Sequence, residues 1–149
     1  MSLEKINSPD NRDFSHILSH AVKVPGLIFL SGQVPADKDG NIVPGGIKEH
    51  TVCTSTASKP GTPTDHVIGI GMATQAQCIH NLGNVLKAAG SSWEKVVKCN
   101  VYLKNMDDFA AMNEVYQELL PTPKPARTCI QAAKLPNDVD VEIEAIAAA

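Results

Sequence analysis

The end of the chain constrains the fold most. From Val139 onward, Val139, Val141, Ile143 and Ala145 alternate with Asp140, Glu142 and Glu144. A period of two puts the apolar set on one face of a β-strand and the carboxylates on the other. Such a strand packs a core on one side and leaves its acidic side to be covered by something else or by water.

The rest of the chain reads around that strand. Gly26 to Val34 is an apolar run ending in Ser31-Gly32-Gln33, and it predicts a buried strand. Asp39-Gly40 between Gln33-Val34 and Ile42-Val43 predicts a hairpin turn. Cys78 to Ala89 places Ile79, Leu82, Val85 and Leu86 at helical spacing, with Gly90 where a left-handed cap belongs. Val96 to Lys104 alternates as a half-buried strand. Asn105 then caps a second helix, whose stripe of Phe109, Met112, Val115, Tyr116, Leu119 and Leu120 stops at Pro121. Arg127 to Leu135 and Val139 to Ala147 are the closing strands. The expected fold class is α+β, ββαβαββ, with both helices on one face of a sheet. The chain has no third layer for the other face, so subunits with sheets facing inward are the expected cover.

The 149 residues are 43% hydrophobic and 19% charged, which suits one compact domain over 1–149. A formal net charge of −3 without a basic run argues against duplex nucleic acid as partner. Apolar stretches such as Gly26 to Leu30 are far shorter than the roughly 20 residues of a membrane span. Met1 to Asp13 carries polar and acidic residues rather than an apolar signal segment. Cys53, Cys78, Cys99 and Cys129 are widely spaced, and reduced thiols in a cytoplasmic compartment are expected, with the mitochondrion as the alternative. His16 and His20 lack a ligand frame and read as two unrelated surface histidines rather than a metal site. Gly69-Ile70-Gly71-Met72-Ala73-Thr74 offers a dinucleotide-like turn, but its third position is wrong, and hinge glycines are the simpler reading. Thr51 to Thr64 has loop composition.

Two side chains stand out. Arg127, at a strand start just after two prolines, suits a carboxylate because a guanidinium fork pairs with it in two places; the plain alternative is a surface ion pair. Glu142 points away from the core. Were oligomerisation to cover that face, burial would raise its pKa and fit it for acid–base work; otherwise it is a solvated position. The thiol of Cys129 reads as structural.

Ser31-Gly32-Gln33, Leu86-Lys87-Ala88-Ala89-Gly90, Asp107-Asp108-Phe109 through Asn113 and Tyr116, Pro125-Ala126-Arg127-Thr128-Cys129 and Leu135 to Ala147 together resemble the Rid family of reactive intermediate deaminases (YjgF, L-PSP), in particular its RidA branch. The resemblance implies a chorismate-mutase-like homotrimer with sites between subunits. It also implies hydrolysis of 2-imino acids such as 2-iminobutanoate and 2-iminopropanoate to 2-oxo acids and ammonia, without cofactor or metal. By resemblance, Arg127 holds the substrate carboxylate, and Glu142 with the backbone carbonyl of Cys129 positions the water. Ser31 and Gly32 line the pocket, and Asn113 supports it. The strands bearing Arg127 and Glu142 are expected to be neighbours that converge in a sheltered pocket between protomers.

Two features depart from the family pattern. Leu18 stands where the branch has a Tyr before the first strand, which bears on substrate range. Val52 to Gln75 is an additional segment of 24 residues, open to reading as a loop insertion or as a translated intron. The competing functions are an endoribonuclease or translation inhibitor of the L-PSP type, and a non-catalytic small-acid-binding or chaperone-like trimer.

Overall fold

A computed structural model describes residues 3–46 and 77–149. The additional segment, the glycine motif at 69–74 and Cys53 lie outside the described residues. The strands are β1 (Glu4–Ile6), β2 (Ala21–Val24), β3 (Leu27–Gln33), β4 (Val96–Leu103), β5 (Ala126–Gln131) and β6 (Val141–Ala148); the helices are α1 (Gln77–Ala88) and α2 (Phe109–Leu119). One sheet runs β1-β2-β3-β6-β4-β5. Every pairing is antiparallel except β4 with β5, which α2 connects, since parallel neighbours require a crossover.

The alternating C-terminal segment lies deep in the sheet, flanked by β3 and β4. Val141, Ile143, Ala145 and Ala147 are at most 3% exposed. They face Leu82, Val85 and Leu86 of α1 and Met112, Val115 and Tyr116 of α2 in a single core. Helix α1 ends as its glycine requires: Gly90 sits at φ 72°, and the Ser91 amide reaches back to the Leu86 carbonyl at 2.9 Å. Asn105 caps through its side chain, accepting from the Asp107 amide at 3.1 Å. The turn it opens is a 3₁₀ turn, Met106–Asp108, that leads into α2.

The N-terminal half differs from the sequence expectation. The hairpin partner of β3 is β2, which precedes it; the 42–43 segment contributes only an isolated bridge, Ala36 to Ile42. Strands β1 and β2 are too short to show a period. The turn itself holds, with the Asp37 amide donating to the Asn41 carbonyl at 2.9 Å and Gly40 at φ 88°.

The other sheet face has no second layer among the described residues. It presents Phe29, Ile146, Glu144, Glu142, Asn100, Tyr102 and Ile130, and Phe29 and Ile130 are 45% and 49% exposed. Ile143 fills the opposite, core side of β6. Its replacement by Ala should lower unfolding free energy by about 2–5 kcal/mol, measured by urea denaturation; a loss under about 1 kcal/mol would contradict a close-packed core at that strand.

Candidate functional site

Glu142 is half-buried on β6, on the face away from the helices. A bulge puts it in contact with β3: Leu30 pairs with Ala145 and Gln33 with Ile143, leaving one extra residue on β3. Gly32 lies in that irregularity, and a Cβ there would overlap Glu142 Oε1. Glycine is what lets the carboxylate lie against the backbone. Burial raises the pKa of Glu142, and the nearby charge of Glu144 raises it further. Glu144 is itself engaged, accepting from Asn100 Nδ2 at 2.7 Å and the Tyr102 hydroxyl at 3.0 Å.

Glu142 and Gly32 line a cavity of about 270 Å³ together with a wall of Phe14, Ile17 and Leu18. That wall belongs to a strap, residues 7–20, held by side chains. His20 is only 2% exposed, which corrects the surface reading. Its Nδ1 accepts from the Ser8 amide at 3.0 Å, and its Nε2 lies 3.0 Å from the Arg12 carbonyl. An amide can only donate and a carbonyl only accept, so the proton sits on Nε2. Asn11 donates to the Gln33 side chain and to the Asn81 carbonyl, both at 3.0 Å. Ser31 does not line the cavity; its hydroxyl donates to the Ser19 carbonyl at 2.7 Å and ties the strap to β3.

Arg127 is elsewhere. Its register partner on β4 is Cys99, a core residue, so its side chain emerges on the helix face. There its Cζ lies 4.6 Å from the ring centre of Tyr116 and 5.6 Å from that of Phe109. Nη1 reaches Met112 Sδ at 3.9 Å. Among the described residues no carboxylate pairs with it. Cys129 shares this strand face, with its partner Val101 in the core. Burial keeps its thiol above the ordinary range, opposed in part by Arg127. The thiol therefore stays protonated near neutrality, as a structural role requires. Asn113, half-buried on α2, is next to Met112.

The expected convergence of Arg127 and Glu142 does not occur within one chain. Their strands are not neighbours, because β4 runs between β5 and β6. Arg127 aligns with Cys99 and Glu142 with Tyr102, so they are offset by three residues and emerge on opposite faces. Two strand spacings and three residues of rise separate their backbones by about 14 Å. Within one chain the expected residues fall into separate groups: Glu142, Gly32 and Leu18 line the cavity, Arg127 and Cys129 lie on the helix-facing side of β5, and Asn113 lies on α2. Phe14, Ile17, Asn11 and His20 were not legible as site residues, because their segment has no period and is fixed by single hydrogen bonds.

Comparison with known proteins identifies the family. The family model for endoribonuclease L-PSP matches residues 60–149. Protein mmf2, mitochondrial, of Schizosaccharomyces pombe is 48% identical over 133 residues, covering 87% of this chain and 86% of that protein. The mouse 2-iminobutanoate/2-iminopropanoate deaminase is 38% identical over 130 residues, covering 87% and 78%. The crystal structure of RidA from the Antarctic bacterium Psychrobacter sp. superposes with a TM-score of 0.76 at 30% identity, covering 98% of this chain and 99% of that one.

The environment of Glu142 has a consequence for stability. Its folded pKa lies above the unfolded value near 4.5, so the folded state binds the proton more tightly and this residue lowers stability as pH rises through the folded pKa. Glu142→Gln should therefore be more stable than the parent at pH 7, with the gain shrinking to nothing below the unfolded pKa. Denaturation midpoints across that range measure it; a gain independent of pH would contradict a desolvated carboxylate.

Proposed function

This chain belongs to the Rid (L-PSP) family, and from that premise we propose that it is a 2-imino-acid deaminase working as a homotrimer, with each site completed by two protomers. The observation that carries the reading is the separation of Arg127 from Glu142. One supplies a positive charge that no carboxylate among the described residues cancels and the other a proton-binding carboxylate, and in this reading they meet where the helix-side edge of one protomer docks against the strap-side wall of another. The exposed Phe29 and Ile130 on the uncovered face favour such an assembly, since apolar area of that kind is normally covered.

In the proposed reaction Arg127 pairs with the substrate carboxylate through its guanidinium edge, which fixes the imine carbon. Water adds to that carbon. Glu142, whose buried carboxylate holds a proton more readily than an exposed one, takes a proton from the water and returns it to the nitrogen. The backbone carbonyl of Cys129 accepts the water's other hydrogen bond. Glu142 then carries the carbinolamine's hydroxyl proton to the amino nitrogen, the C–N bond breaks as the C=O forms, and ammonia leaves the 2-oxo acid behind. The imine is already electrophilic, so no nucleophilic side chain is required. Leu18, with Phe14 and Ile17, gives the substrate side chain an apolar wall. The carboxylates of Glu142 and Glu144 repel a phosphodiester, which favours this reading over RNA cleavage. The mitochondrial naming of the fission-yeast relative supports the mitochondrial alternative for its compartment.

The test generates 2-iminobutanoate in situ with a dehydratase and follows imine loss and ammonia release. Arg127→Ala and Glu142→Gln should each abolish the acceleration. Co-refolded in equal amounts, the two inactive variants should regain about a quarter of parental activity, because random assembly pairs an intact Arg127 with an intact Glu142 at about one interface in four. Mixtures as inactive as the separate variants would rule out sites shared between protomers, and an unaccelerated parent would rule out the deaminase.

A further inference from the structure

A half-buried arginine that meets no acid among the described residues needs another reason to stay where it is, since its ordinary recourse is to reach for water. The face of α2 supplies one. Phe109, Met112 and Tyr116 fall three and four residues apart, on one stripe of the helix, and all three address Arg127: two rings at 5.6 and 4.6 Å from its Cζ, and a thioether at 3.9 Å from Nη1. We propose that Phe109 and Tyr116 are positioning residues, holding the Arg127 guanidinium against their ring faces so that its N–H edge is presented to a carboxylate ligand.

This deepens, and rests on, the deaminase reading for the identity of that ligand. A carboxylate partner would hold the guanidinium equally well, but it would occupy the fork and cancel the charge. Aromatic faces attract the cation through their quadrupole and take none of its in-plane donors, so that only Nη1, turned toward the Met112 thioether, is engaged in the plane. The hydroxyl of Tyr116 points to the same role for the ring. Tyr116 is 6% exposed, and among the described residues its buried hydroxyl finds no oxygen or nitrogen partner, only the weakly polar Cys99 thiol beside it. A buried phenol met only by a thiol gives up stronger hydrogen bonds to water, a cost that Phe would avoid. Phe at this position should therefore serve as well, whereas a non-aromatic side chain should not.

The chain contains two arginines, Arg12 and Arg127, so ¹⁵N-arginine labelling gives two side-chain Nε–H signals, assigned with Arg127→Lys. Arg12, whose Cζ lies 5.1 Å from the Phe14 ring centre, is the internal control. In the parent and in Tyr116→Phe the Arg127 signal should be ring-current shifted and motionally restricted. In Tyr116→Leu it should lose both properties while Arg12 does not move. The Kd for 2-oxobutanoate and the KM for the imine should rise about tenfold in Tyr116→Leu, as loss of a desolvated cation–π contact implies, with kcat nearly held. Tyr116→Phe should match the parent in each. Where Tyr116→Leu fails to fold, Phe109→Leu, at the partly exposed helix start, carries the same comparison with a smaller effect.

An Arg127 signal unchanged in the Leu variants would overturn the proposal, as would Tyr116→Phe failing as badly as Tyr116→Leu. If the parent neither binds the oxo acid nor hydrolyses the imine, the deaminase reading falls, and the Arg127 resonance alone decides whether the rings position it.

Discussion

Side chains of a β-strand alternate between two faces, and the candidate chemistry follows from where that rule sends two charges. Arg127 obeys it toward the helices and Glu142 obeys it away from them, with a strand between their own. No rotamer change brings them together across a sheet about 10 Å wide at that point. If they act on one small molecule, the fold has to be repeated and the copies docked edge to face. The acidic side of β6, which a lone chain leaves partly wet, then becomes an interior.

Each charge is held by a different means, and each means suits the role proposed for it. Glu142 lies against a glycine at a bulge, near a second carboxylate that is already hydrogen-bonded to Asn100 and Tyr102. Partial burial and like charge both favour its protonated form, which places it closer to the working range of an acid–base group. Arg127 is held by rings and a thioether, so its charge is retained. The strap over the cavity depends on polar side chains, Asn11, His20 and Ser31, each bonded to backbone or amide groups. Such bonds are directional, and they fix the apolar residues Phe14 and Leu18 at the cavity wall more narrowly than packing alone would.

The regular elements were largely legible in the sequence. The period of two in β6 and β4, the helical stripes of α1 and α2, and the caps at Gly90 and Asn105 all report local geometry, and each reappears within a residue or two. The N-terminal strands and the strap were not legible. Three- and four-residue strands have no period to detect, and residues 7–20 owe their path to partners dozens of positions away, such as Gln33 and Asn81. His20 illustrates the limit: no pattern along the chain says that the Ser8 amide and the Arg12 carbonyl, 12 and 8 positions before it, will hold it buried.

The candidate site divides along the same line. The chain itself determined that Arg127 and Glu142 sit on strands, that Glu142 faces away from the core, and that a second apolar stripe on α2 packs against the sheet, because all of these depend on spacing along one backbone. Tertiary structure alone decided that β4 is inserted between the strands of the two charges, that the α2 stripe faces the guanidinium, and that Gly32 meets the Glu142 carboxylate. Strand order and register are chosen by the summed packing of the sheet and helices, and that sum is not written in any local stretch of residues.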